Sequence, residues 1–274
     1  LLTPAQRDCI EIVLVSPRNP LNIGAVARAM ANFGFSRLTV VAPYAPHWRE
    51  ARSAIGAPEL LQNATETESL AEAVAECTFV AGTGTLTSRK PEQPVLSLPD
   101  AGPILAHHFD RPGRIALVFG PEKHGLTRDD LSYCNALIEI PTDPRRPSMN
   151  LGQAAAVCLY ELSRGVVKGD YQRNTGGVRG LPPFPQKQAE GMGHGESEFE
   201  PASSSAALDR LGGLIEETMT AAGYSPRVMQ PANRHDLRLL LRRLAPTALD
   251  TRRMLGLFRR ILYRLNRSGD HRDR

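Results

Sequence analysis

Residues 10–34 read Ile10-Glu11-Ile12-Val13-Leu14-Val15, then Ser16-Pro17-Arg18-Asn19-Pro20, then Leu21-Asn22-Ile23-Gly24-Ala25-Val26-Ala27-Arg28-Ala29-Met30-Ala31-Asn32-Phe33-Gly34. The first six residues are of strand length and almost wholly apolar, which predicts a strand covered on both faces. The Pro-Arg-Asn-Pro stretch is a turn. Asn22 is a capping residue for a helix that runs to about Phe33 and stops before Gly34. The same alternation continues to about residue 165. Arg37–Val41 predicts a second strand, 57–61 and 67–76 predict helices, and Thr78–Ala81 returns as a strand. Ile115–Phe119 and Ala136–Ile140 are short apolar runs, and Asn150–Arg164 is an alanine-rich amphipathic helix. Buried strands alternating with helices define an α/β domain over 1–165 with a mainly parallel sheet.

The remainder is of another kind. Residues 166–205 carry Gly176-Gly177, Pro182-Pro183 and Ser203-Ser204-Ser205 with few apolar anchors, the composition of a flexible linker. Three helices are expected after it, over Ala206–Ala222, Ala232–Leu244 and Ala248–Asn266, so that 206–274 forms a small helical domain. In the last of them Met254, Leu257, Phe258, Ile261 and Leu265 share one side. From Arg227 to Arg274 there are thirteen arginines against four aspartates, a charge of +9; the whole chain carries +4, so residues 1–226 carry −5. A basic block on a mildly acidic body points to a polyanionic partner, nucleic acid first.

Several classes are excluded. No apolar stretch approaches the roughly 20 residues that span a membrane. Leu1-Leu2-Thr3-Pro4 lacks the basic and apolar regions of a signal peptide. The four cysteines, Cys9, Cys77, Cys134 and Cys158, form no CxxC pair and are expected to be reduced in a cytoplasmic protein. There is no GxGxxG after the first strand, no GxxxxGK[ST] and no GxSxG. His107-His108 has no acidic cluster beside it, so no metal site is expected.

Three loops follow strand ends, where open parallel sheets collect their ligands. Thr83-Gly84-Thr85 follows one. Gly120-Pro121-Glu122-Lys123-His124-Gly125-Leu126 follows another, with a glycine for close approach and a carboxylate beside it. The third is Pro141–Pro147, running into Ser148-Met149-Asn150 at a helix start. Taken singly, each also reads as a turn.

Together, NIGAVARAM, FGPEKHGL and PSMNLGQAAAV resemble the three ordered motifs of the SPOUT (α/β-knot) RNA 2′-O-ribose methyltransferases, in their TrmH/TrmJ branch. The resemblance covers about residues 8–165 and extends to the helical tail. It implies a trefoil-knotted domain, a homodimer, S-adenosylmethionine as methyl donor and tRNA as substrate, at the 2′-hydroxyl of nucleotide 32 in the anticodon loop. Carried over by position, Arg28 acts on the ribose hydroxyl, Asn22 holds Arg28 or the RNA, and Glu122, Ser148 and Asn150 complete the polar set. The methyl donor lies against Thr83, Gly84, Thr85, Gly120, Ile140, Pro147, Ser148 and Met149, mainly through backbone groups. The chain departs from the family pattern at Pro121, where several relatives carry arginine, and at Pro147, which removes a backbone donor. The alternatives are a ribosomal-RNA 2′-O-methyltransferase and a catalytically silent RNA-binding protein on the same fold.

Overall fold

The computed structural model describes residues 2–84, 91–164, 200–224 and 230–269. The elements follow in chain order as α1 (Pro4–Arg7), β1 (Ile10–Val15), α2 (Pro20–Phe33), β2 (Arg37–Val41), a 3₁₀ turn (Trp48–Glu50), α3 (Pro58–Gln62), β3 (Thr65–Thr67), α4 (Leu70–Ala73) and β4 (Cys77–Thr83). Then come β5 (Val95–Ser97), α5 (Leu98–His108), β6 (Arg114–Phe119), α6 (Arg128–Ser132), β7 (Ala136–Glu139), α7 (Leu151–Ser163), α8 (Ser205–Ala221), α9 (Gln230–Leu244) and α10 (Ala248–Gly269).

The seven strands form one sheet in the order β3-β2-β1-β6-β4-β7-β5, and every pairing is parallel. Alternation along β1 divides the core. Ile10, Ile12 and Leu14 face a cluster shared with α2, α5 and α7, whereas Val13 and Val15 face Leu70, Val74, Val80, Val118 and Leu137. Both faces are dry, which is why the strands read as continuous apolar runs.

Two local readings need correction. The cap of α2 is Asn19, whose side chain accepts from Leu21 N–H, with Pro20 at the first helical position; Asn22 lies inside the first turn. Asn19-Pro20 carries the stronger start signal, because proline's missing N–H costs nothing at that position. The helix expected over 67–76 is only Leu70–Ala73, capped by Ser69, and Thr65–Thr67 is spent on the edge strand β3.

Of the stretch expected as linker, 166–199 lie outside the described residues, and 200–205 are tied down. Ala202 bridges Thr247, the Ser203 hydroxyl contacts Thr251 Oγ1 at 2.6 Å, and Ser204 caps α8. The C-terminal helices pack on the sheet side of α4 and α6: Ala206 N–H donates to Ala75 O, and Arg238 reaches Asp129 at 2.8 Å and Ser132 at 2.9 Å. Arg242, only 4% exposed, donates to Tyr133 O, Ser205 Oγ and Asp209. Two arginines of the basic block, Arg238 and Arg242, therefore fasten the helices to the sheet domain, while the exposed Arg234 pairs with Glu216 on α8. On α10, Arg252, Arg253, Arg259, Arg260 and Arg267 are exposed and, with Gly256 and Tyr263, fall on one helical face. The apolar stripe opposite is wider than α8 covers, leaving Leu257 and Ile261 exposed.

Candidate functional site

The carboxyl ends of β1, β4, β6 and β7 meet along one edge of the sheet, and the three loops singled out above leave from β4, β6 and β7. Glu122, three residues beyond β6, is the hub. Its carboxylate accepts from Arg18 N–H at 3.0 Å, Asn19 N–H at 3.2 Å and Asn22 Nδ2 at 2.8 Å. Asn150 joins from the start of α7, donating through Nδ2 to Asn22 Oδ1 at 2.9 Å while its Oδ1 accepts from Gly152 and Gln153 N–H. The helix cap fixes the direction of this relay. Asn150 Oδ1 must face the helix amides, so its Nδ2 faces Asn22; Asn22 Oδ1 must then accept, and its Nδ2 is left to donate to Glu122.

Partial burial pushes the Glu122 carboxyl upward, but the Asn22 amide and the Arg18 and Asn19 N–H groups outweigh it and hold it below the ordinary carboxylate value. Glu122 is therefore an ionised clamp whose lone pairs are engaged, a poor base and a good positioner. The close approach of α7 to α2 that lets the asparagines meet depends on Gly152, where a Cβ would lie 2.7 Å from Ala25 Cβ.

The other expected residues divide clearly. Thr83 is buried, with its hydroxyl donating to Val118 O at 3.0 Å, and Gly84 N–H donates to Ile138 O at 3.3 Å; these bonds lock the β4 exit to its neighbours. Thr85 lies outside the described residues. Gly120 sits where a Cβ would collide with the backbone of Gly125 and Leu126, so its loop is folded tightly on itself. Ile140, Pro147 and Met149 are half-buried and Ser148 is exposed. Thr142 Oγ1 donates to Pro147 O across the turn. Arg28 is exposed on α2, six residues beyond Asn22, and takes no part in the Glu122–Asn22–Asn150 relay.

The glycine-lined ends of β4 and β6, the half-buried Ile140 and Met149 and the folded Pro141–Asn150 loop suit a cofactor held largely by backbone and apolar contact. The Arg18 and Asn19 amides were not foreseen, since nothing local marks a backbone N–H as a partner for a carboxylate a hundred residues away.

Other features carry less chemistry. A polar groove of about 340 Å³ lies at the opposite end of the strands and includes Glu11, Arg37, Glu72, Cys77 and Arg114. All four cysteines are free, and burial pushes the Cys77, Cys134 and Cys158 thiols up to about 12, where they are unreactive. His108, stacked on Phe79 at 3.9 Å, is lowered to about 4, first by burial and then by His107. Among the described residues, no helix is long and apolar enough to cross a membrane.

Comparison with known proteins identifies the family of this fold. The model of the SpoU rRNA Methylase family matches residues 10–160. The tRNA (cytidine/uridine/adenosine-2′-O-)-methyltransferase TrmJ of Pseudomonas aeruginosa is 39% identical over 156 residues, 57% of this chain and 60% of that protein. The tRNA (cytidine/uridine-2′-O-)-methyltransferase TrmJ of Pectobacterium atrosepticum is 31% identical over 264 residues, 96% of this chain and 99% of that one. The crystal structure of TrmJ from Z. mobilis ZM4 superposes with a TM-score of 0.73 at 28% identity, covering 92% of this chain and 98% of that one. With the family model spanning more than half of the sequence and a relative aligned from end to end, the chain belongs to the SpoU methylase family, as its three motifs implied.

Proposed function

We propose that the protein is an S-adenosylmethionine-dependent tRNA ribose 2′-O-methyltransferase acting on cytidine or uridine 32 of the anticodon loop. The observation that carries this reading is the end-to-end similarity to the P. atrosepticum methyltransferase, C-terminal helices included. The relay joining Asn22, Glu122 and Asn150 at the cofactor edge supports it.

S-adenosylmethionine supplies an electrophilic methyl group on a sulfonium, to be held against Gly84, Gly120, Ile140 and the 147–149 turn, with Thr83 at the β4 exit. The chain must align the ribose oxygen with that methyl and manage its proton. A guanidinium keeps its proton, so Arg28 serves by stabilising the developing alkoxide and holding the neighbouring phosphate, the proton leaving to phosphate or water. Asn22, Asn150 and Glu122 position; Ser148, exposed at the turn, lines the path to the cofactor.

The protein is proposed to work as a homodimer. Arg28 lies outside the relay of its own chain, and Leu21 on α2 with Val157 and Tyr160 on α7 leave apolar surface exposed on the same layer. A second copy covering that layer would complete the site.

Methyl transfer from labelled S-adenosylmethionine to an unmodified tRNA transcript tests the reaction. Label is expected at ribose 32, absent when that nucleotide carries 2′-deoxyribose, and reduced roughly 10²-fold in Arg28→Ala. No label on tRNA with cofactor binding intact would move the reading to ribosomal RNA or to a silent RNA-binding protein.

The exposed arginines of α10 are proposed to hold tRNA phosphates. Removing residues 206–274 would also uncover the sheet, so substitution is the cleaner probe. Replacing Arg252, Arg253, Arg259 and Arg260 by glutamine is expected to weaken tRNA binding. It should flatten the dependence of log K on log salt by about 3 to 4 in slope. An unchanged slope would refute the role.

A further inference from the structure

Beside the relay stands a second feature that the methyltransferase reading leaves unused. Ser16 and Ala42, the residues that leave β1 and β2, both have left-handed backbones, with φ of 44° and 42°. Non-glycine residues hold such conformations at a cost and cluster where a site requires them. The two exits are joined. Ser16 N–H donates to Val41 O at 2.8 Å, and Tyr44 N–H donates to Pro17 O at 3.2 Å. The result is a pinned turn that presents the Tyr44 ring to solvent, 77% exposed, with the Arg18 guanidinium 5.5 Å from its centroid. Arg18 is also one of the two residues whose backbone N–H is gripped by Glu122. The aromatic ring and the relay are thus coupled through one residue. Two strand spacings separate β2 from β6 in the sheet, about 10 Å, which sets the ring beside the site without entering it.

A strained turn that exposes a tyrosine contributes nothing evident to the core. Its chemistry, a ring with a cation at its face, is that on which unpaired bases stack while a phosphate is neutralised. We infer that Arg18 and Tyr44 form a docking rim for single-stranded RNA. A nucleotide flanking the modified one lays its base on the Tyr44 ring, and the Arg18 guanidinium turns to the phosphate between them. The inference rests on the RNA methyltransferase reading and adds positioning residues to it.

The test uses the full chain and an unmodified tRNA transcript. Tyr44→Ala is expected to weaken tRNA affinity and raise KM for tRNA by roughly fivefold to a hundredfold. Its kcat, S-adenosylmethionine affinity and melting temperature should stay those of the wild type. Tyr44→Phe keeps the ring and should bind as the wild type does. Arg18→Gln should weaken binding and lower the salt slope by about one. Wild-type affinity and KM in Tyr44→Ala, or a Tyr44→Phe as weak as Tyr44→Ala, would overturn the rim and leave the reaction standing. If the wild type binds tRNA but transfers no methyl group, the reaction fails while the affinities still decide the rim. A wild type that binds no RNA would remove both.

Discussion

Gly120→Ala is expected to unmake the proposed cofactor edge while leaving the fold recognisable. The position has no unusual dihedral requirement; the constraint is space. A Cβ there would fall on Leu126 N and Gly125 C, backbone atoms that no rotamer change can move. The loop is further tied by the bond from Gly125 N–H to Pro121 O at 2.8 Å and by Leu126, 1% exposed among Val80, Val118 and Leu137. Relief must come from shifting the loop that carries Glu122. Overpacking that forces the backbone to move costs about 1–3 kcal/mol. Displacing a positioning group by about 1 Å costs roughly 10²-fold in rate. Glu122 is carried on that loop, so methyl transfer should fall by at least that much. Thermal melting and calorimetric titration with S-adenosylmethionine check the two halves. A variant that melts and binds like the wild type would show that the loop has room, and would remove the argument for a backbone cradle.

Arg242→Ala is expected to release the C-terminal helices from the sheet. The guanidinium is buried and makes charge-assisted bonds to Tyr133 O at 2.8 Å, Ser205 Oγ at 2.8 Å and Asp209 Oδ1 at 3.2 Å, with Nη1 buried and unpartnered among the described residues. Burial lowers its pKa and Asp209 opposes the shift, the signature of a charge held inside by its partner. Removing it leaves Tyr133 O and Ser205 Oγ without their donor and the partly exposed Asp209 with only the more distant Arg238, at about 1–3 kcal/mol for each buried group left unpaired. The loss should be local, appearing as faster amide exchange and proteolysis in α8 and α9 before the sheet opens. Arg242→Met with Asp209→Asn should recover most of it, since an apolar stem of similar volume beside a neutral amide leaves no orphan charge. Equal exchange in wild type and Arg242→Ala would mean that α8 holds the tail unaided.

The sheet was legible where residues speak for themselves. Ile10–Val15, Arg37–Val41 and Ile115–Phe119 read as strands because strands covered on both faces are apolar throughout. Asn150 read as a helix start because a cap is a local bond, and the helix expected over Ala206–Ala222 forms over Ser205–Ala221. What stayed hidden was short or masked by proline. Leu98–His108 contains Pro99, Gly102 and Pro103, yet it is a helix, since Pro99 sits in the first turn and Leu98, Ala101 and Leu105 keep the buried spacing. Val95–Ser97 and Thr65–Thr67 are three-residue edge strands with no pattern long enough to detect. The motifs named Asn22, Glu122 and Asn150, but their meeting, and the Arg18 and Asn19 amides that complete the cluster, depend on strand order. No local signal carries that order. The same holds for the basic block, whose arginines divide into fasteners and exposed cations only once α9 is seen against α6.

The span of the relay also bears on how the molecule comes into being. Asn22 bonds to Glu122 and to Asn150, 100 and 128 residues further along the chain. During synthesis β1 and α2 emerge well before β6 and α7. The apolar face of α2 waits for α7, and β1 waits for β6, which pairs along its full central edge. Contacts this distant in sequence must bear the loop-closure entropy before any burial rewards it. The nascent N-terminal third therefore leaves the ribosome with an unpaired strand edge and an uncovered helix, the state most exposed to misassociation. The site is the last thing to exist: its three key side chains become neighbours only when the loop after β7 has delivered Asn150 to α2.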